Sequence, residues 1–261
     1  MPFTLEEDQP RVRFRRNPLK TVVWQLRFPP VLLVNDPAFV ARFQGAIRSE
    51  YPLLEPRGSQ FNVAIGEQGA SAGAEPTPWQ FRDDDGHWTV ALHQDFLSLE
   101  TNEYVRFEEF RDRLERLLIA AEETLRPTHI QRIGLRYVDH IQPTQARTPA
   151  DFAQYLNQDL IGVVAGEELS PYVIDAIQFI RLNVSSHEMA IRHGFVGAET
   201  EHPEAPFYLI DTDAYQLGNR AYDRGYCLER TEEFKRYCWN VFRQSIRHEL
   251  VDLLEPVPLD A

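Results

Sequence analysis

A chain of 261 residues, 43% apolar and 26% charged, is long enough to bury a large core as one domain or as two closely packed halves. Its formal net charge of −13 repels polyanions, which argues against direct nucleic-acid binding and an anionic membrane surface and favours a basic or neutral protein partner. Two cysteines without disulfide or metal-ligand spacing, an acidic start where a secretory signal would be basic and apolar, and no run of about 20 apolar residues make the cytoplasm the expected setting, away from any membrane.

In chain order, residues 1–18 read as an N-terminal arm, with the basic run RVRFRRNPLK over 11–20 suited to an acidic surface or to neutralising nearby acids. Thr21 to Phe28 alternates Val22, Trp24, Leu26 and Phe28 against Thr21, Val23, Gln25 and Arg27, the period of a half-buried strand. Pro29-Pro30 ends it. Asp36-Pro37 is a cap followed by proline at the first helical position, and Phe39, Phe43, Ile47 and Tyr51 follow at four-residue spacing. Gln60 to Gly66 reads as a strand and Glu67 to Pro78, rich in small residues, as a mobile loop. Trp79 to Arg82, the turn Asp83–Gly86 and Trp88 to Leu99 form a hairpin pattern, because an Asp-Gly turn supplies the positive φ that tight reversals need. An amphipathic helix over Glu103–Leu125 then carries Phe110, Leu114, Leu117, Leu118 and Ala121 on one stripe.

From His129 the same order recurs. The strand His129–Ile141 echoes the first one, Leu135-Arg136-Tyr137 answering Leu26-Arg27-Phe28. Thr148-Pro149 opens a second helix carrying Phe152, Tyr155, Leu156 and Leu160. Strands follow over Ala176–Val184, Met189–Val196 and Phe207–Gln216, and a long helix spans Leu228–Leu254. The expected fold class is therefore α+β. A duplicated strand-helix-three strands-helix unit, with repeats over 19–127 and 128–261, builds a broad, mainly antiparallel curved sheet with helices on one face. Such a unit is similar to the half-molecule of the TATA-binding protein; two ferredoxin-like halves side by side are the alternative. Either likeness concerns fold only.

Alternation assigns the other face of that sheet. With Ile133, Leu135 and Tyr137 toward the core, Arg132, Arg136 and His140 point away, joined by Arg27 from the first strand and by Phe179 and Arg181 from the strand at 176–184. These six are the candidate ligand- or partner-binding residues, with Asp211 and Asp213 near them. The competing reading is a wetted face whose charges pair across strands. No phosphate-binding loop, dinucleotide fingerprint, nucleophile elbow or zinc-protease motif occurs, and neither cysteine has a histidine at a family-specific spacing. Asp211-x-Asp213 puts two carboxylates about 7 Å apart on one face, but further ligands are lacking, so no metal, cofactor or catalytic residue is assigned.

Asn17-Pro18-Leu19 followed by VVWQLRFP, the W-x-F and acidic-Gly hairpin leading to Leu97-Ser98-Leu99-Glu100-Thr101, the helix entry from Tyr104 to Phe110, and R-I-G-L-R-Y at 132–137 carry one resemblance. Together they resemble a sporadically distributed family of uncharacterised prokaryotic proteins of about this length, most specifically over residues 79–141. The resemblance implies an accessory, defence-type or antitoxin-like role and transfers no catalytic residue. The expected function is a non-enzymatic, protein-binding subunit; the alternative is a sensor or enzyme that takes a small anionic ligand on the arginine-lined face. Oligomeric state is not legible.

Overall fold

The computed structural model describes residues 5, 7–55, 59–66, 69–166, 168–184, 187–198 and 205–257, with backbone alone for 59–66, 69–76, 163 and 164. In chain order the elements are β1 (Arg13–Phe14), β2 (Leu19–Arg27), α1 (Pro37–Ile47), β3 (Leu53–Leu54), β4 (Ser59–Gly66), β5 (Gly69–Pro76), β6 (Trp79–Arg82), β7 (Trp88–His93), β8 (Phe96–Thr101) and α2 (Phe107–Thr124). There follow β9 (His129–Ile141), α3 (Pro149–Phe152), α4 (Gln158–Ile161), β10 (Asp175–Val184), β11 (His187–Val196), β12 (Phe207–Ala221), α5 (Arg224–Ser245), α6 (His248–Leu253) and β13 (Pro256–Val257). The protein is α+β: nine strands form one large antiparallel sheet in the order β10-β11-β12-β9-β2-β8-β7-β6-β3, with helices against one side. Outward from β9 lie β12, β11 and β10, and outward from β2 lie β8, β7, β6 and β3.

Two compact units divide the chain, one of residues 1–22, 134–217 and 229–261, the other of 23–133 and 218–228. In the second unit, β2 buries Trp24 and Leu26 completely, as its alternation requires, and Asp36 caps α1 by accepting from the Ala38 amide at 2.9 Å. Phe43 of α1 meets Phe81 edge-on at 5.8 Å, and Trp88 lies against Phe110 of α2. Asp83 turns the β6–β7 hairpin, its Oδ1 accepting from the His87 and Trp88 amides while Gly86 takes a φ of +71°.

Four expectations are corrected. The run Trp88–Leu99 is two strands, β7 and β8, because the chain reverses at Gln94-Asp95. Gly69–Pro76 is not a loop: it pairs with β4 from Ser59↔Pro76 to Gly66↔Gly69, since a ladder needs backbone groups rather than bulky side chains; Glu67 and Gln68 lie outside the described residues. The long closing helix is broken into α5 and α6 around Ile246, and the helix at 148–160 into α3 and α4. These two breaks are linked, for Leu156 and Ile246 bridge, the Asn157 amide donates to Ser245 O at 2.8 Å and the Arg247 amide to Tyr155 O at 2.8 Å.

In the first unit the helix-facing side chains of β9, β11 and β12 form one core with α3, α5 and α6, centred on Phe152, Leu156, Phe195, Ile210 and Phe242. The 11–20 segment is tied down rather than a free arm. There β1 pairs with β13, Arg16 meets Glu255 at 2.9 Å, and Phe14 packs on Trp239 and Phe242.

Candidate functional site

The side of β9–β12 turned away from this core carries the candidate residues of the first unit. Strand β11 alternates, His187, Met189, Ile191, His193 and Phe195 buried and Glu188, Ala190, Arg192 and Val196 open to varying degree, with Gly194 of the open phase buried as well. Register then assembles a transverse row. Phe179 of β10 lies opposite Arg192, Arg192 lies opposite Asp211 of β12, and Asp211 takes Arg136 of β9.

Arg136 grips Asp211 with both arms of its fork, Nε to Oδ1 and Nη2 to Oδ2 at 2.7 Å each. Arg192 reaches the same carboxylate, Nε to Oδ2 at 3.2 Å. The acid side chain is 6% exposed and the arginines 43% and 51%, so a covered carboxylate holds two cations whose outer faces meet solvent. A second group lies beside it: Arg181 donates to Glu188 at 2.6 Å and the Tyr215 hydroxyl donates to the same oxygen at 3.0 Å, so both donors hold the Glu188 carboxyl below its ordinary value. His140 stacks on Phe207 with ring centroids 4.1 Å apart, and Phe179 remains 64% exposed.

Arg27 and Arg132 belong to the other unit, where they share one acceptor. Arg27 Nε donates to Gln25 Oε1 at 3.1 Å and Arg132 Nη1 to the same atom at 3.5 Å. The six sequence-derived residues are thus held in separate small groups, and each arginine among them has an acid or amide partner. Arg192, Glu188 and Tyr215 complete the arrangement and escaped the sequence reading. Alternation in Met189–Val196 was the available signal for Arg192, since it falls between buried Ile191 and His193.

Asp139 follows the buried phase of β9, between Tyr137 and Ile141, although it is an acid. Burial pushes its carboxyl up to about 8, with repulsion from Asp211 adding to the effect. Cys238, on α5, lies buried against Leu135 O and Thr212 O, and burial drives its thiol well above the ordinary range, which makes it a poor nucleophile. His187 and His193 face the core, the first against Phe234 and Tyr237 and the second bonded to the Tyr208 hydroxyl at 2.9 Å; burial lowers the pKa of both. Among the described residues no three His, Cys, Asp or Glu side chains are grouped so as to hold a metal ion. Among them, too, no helix is long and apolar enough to cross a membrane.

A scan of protein-family models finds no match to this chain, and a search of curated proteins finds none.

Proposed function

We propose that this protein is a non-catalytic binding module that engages another protein through the open face of β9–β12. The row Phe179–Arg192–Asp211–Arg136 carries the reading: an exposed aromatic beside guanidinium groups held in fixed orientation is the composition found at energetic centres of protein interfaces. Arginines already oriented by Asp211 and Glu188 lose little freedom when a partner arrives. The same pairing weighs against a small anionic ligand, because a phosphate or carboxylate approaching Arg136 would compete with a bidentate carboxylate already in place. The overall charge of −13 favours a partner that is basic outside the contact and speeds encounter with it. The resemblance to an accessory, defence-type family is consistent with such a role.

The test is affinity capture from the native host with the parent and with Arg181→Ser/Arg192→Ser. A stoichiometric partner is expected with the parent and at least tenfold less of it with the variant, at unchanged melting temperature. Equal recovery by both proteins would move the recognition surface elsewhere. A melting shift with millimolar phosphate or nucleotide that the variant loses would instead support the anionic-ligand reading.

A further inference from the structure

Strand β10 ends the large sheet, and among the described residues no strand pairs with its outer edge. The opposite end of the sheet is β3, two residues long and preceded by Pro52, a short edge that offers little to pair with. By contrast β10 is ten residues long, contains no proline or glycine, and is exposed on most of its positions. Leu169, Tyr172, Ile174, Ile177, Phe179 and Ile180, all exposed large apolar side chains, fall on this strand and the segment leading into it. A long, apolar, unpaired edge is a template for another strand.

The strand's own sequence says which strand fits. Asp175-Ala-Ile-Gln-Phe-Ile-Arg181 is complementary to itself when reversed. In an antiparallel pair of two copies with a two-fold axis at Gln178, Asp175 stands opposite Arg181 of the other copy, Ala176 opposite Ile180, Ile177 opposite Phe179, and Gln178 opposite its equivalent. Just outside, Ile174 meets Leu182. Asp175, Ile177, Phe179 and Arg181 share the open face of the sheet; Ile174, Ala176, Gln178, Ile180 and Leu182 share the other. Every pair therefore matches charge with opposite charge, apolar with apolar, or amide with amide. Among registers that keep the helical sides of the two copies together, only the one centred on Gln178 sets Asp175 against Arg181. Both charged groups have further capacity for the new bond: Asp175 Oδ1 accepts from the Gly197 amide at 3.0 Å, and Arg181, which bonds Glu188 through Nη2, carries five N–H donors.

We propose that the protein forms a two-fold symmetric homodimer by antiparallel pairing of β10 with β10 of a second copy, centred on Gln178, so that the sheet continues from one copy into the next. This goes beyond the partner-binding reading and does not depend on it, since either can hold without the other.

The test is a charge exchange read by sedimentation equilibrium at micromolar concentration. The parent is expected at twice the 30.3 kDa chain mass. In a homodimer Asp175→Arg sets two arginines against each other at both ends of the paired segment, and Arg181→Asp sets two aspartates there. Each variant alone is expected as a monomer, with dissociation at least tenfold easier than in the parent.

 In the register centred on Gln178, residue 175 of each copy faces residue 181 of the other, so an equimolar mixture of the two variants restores two opposite-charge pairs and is expected to dimerise. A purely structural effect of either change would not be repaired by mixing. A monomeric parent, variants that dimerise as tightly as the parent, or a mixture that stays monomeric would each overturn the proposal. If either charge reversal fails to fold, Phe179→Lys at its exposed site serves instead, and an undiminished dimer in that variant overturns the proposal.

Discussion

Asp139 shows how far a single residue can depart from the pattern that surrounds it. Alternation along His129–Ile141 makes Ile133, Leu135, Tyr137 and Ile141 legible as core and Arg132, Arg136 and His140 as the other face, and the burial of β9 follows that phase. Nothing in the alternation marks an acid in the buried phase as a proton carrier, because its pKa is set by desolvation and by Asp211 on another strand. Likewise the arginines were legible and their partners were not: Asp211 is 75 residues from Arg136, and only register brings them together. For Asp139 the folded value near 8 stands above the ordinary 3.8, so between about pH 4 and pH 8 the native state keeps a proton that the unfolded chain has lost. Stability therefore falls as pH rises through that window, by at most about 1.4 kcal/mol per pH unit from this group, and is indifferent to it outside the window. Asp139→Asn is expected to remove this slope and to exceed the parent in stability at pH 8, the two converging near pH 4. Urea midpoints at pH 5, 6.5 and 8 check it; parallel profiles for the two proteins would show that Asp139 is ionised in the native state.

At the scale of elements, those whose local and tertiary signals agree were legible, and those cut by a tertiary contact were not. Asp36-Pro37 and Thr148-Pro149 open helices where the sequence places them, and at the second site the Asp151 carboxylate accepts from the Thr148 amide at 2.8 Å in a capping box. The stripe Phe234, Tyr237, Val241, Phe242, Ile246 runs straight through the end of α5, so periodicity alone reads one helix where the chain breaks. The break exchanges helical hydrogen bonds at Ser245 and Arg247 for bonds to Asn157 and Tyr155, while Leu156 is wholly buried in the core that α5 and α6 share. Leu156→Ala should therefore cost about 2–5 kcal/mol, the range for deleting a buried leucine. It should also raise hydrogen exchange at the Asn157 and Arg247 amides ahead of the rest of α5. A loss below about 1 kcal/mol, or exchange unchanged at those two amides, would mean that the bridge is not what holds the two breaks together.

For the whole molecule, the compact units are not consecutive stretches of chain. β2 begins in the unit of 1–22, 134–217 and 229–261 and ends in the other, and β9 passes from 23–133 into 134–217. A cut after residue 126 therefore leaves neither unit complete. The N-terminal fragment would keep β1 without β13, so that Phe14 loses Trp239 and Phe242 and Arg16 loses Glu255. It would also lose the 127–133 and 218–228 segments, with the Tyr222 amide to Thr128 O bond and the Arg224–Glu122 pair that belong to the second unit. Residues 19–22 of β2 would leave Val22, fully buried in the intact chain, without most of their own unit. Residues 1–126 expressed alone are thus expected to be insoluble or to give collapsed amide spectra, and co-expression with 127–261 is expected to recover soluble material containing both fragments. The full chain, heated or titrated with urea, should lose its far-ultraviolet and tryptophan signals in one coincident transition, since Trp24, Trp79 and Trp88 report on one unit and Trp239 on the other. A soluble 1–126 fragment with dispersed spectra, or two separated transitions in the full chain, would show that the chain folds in independent halves despite the way its units interleave.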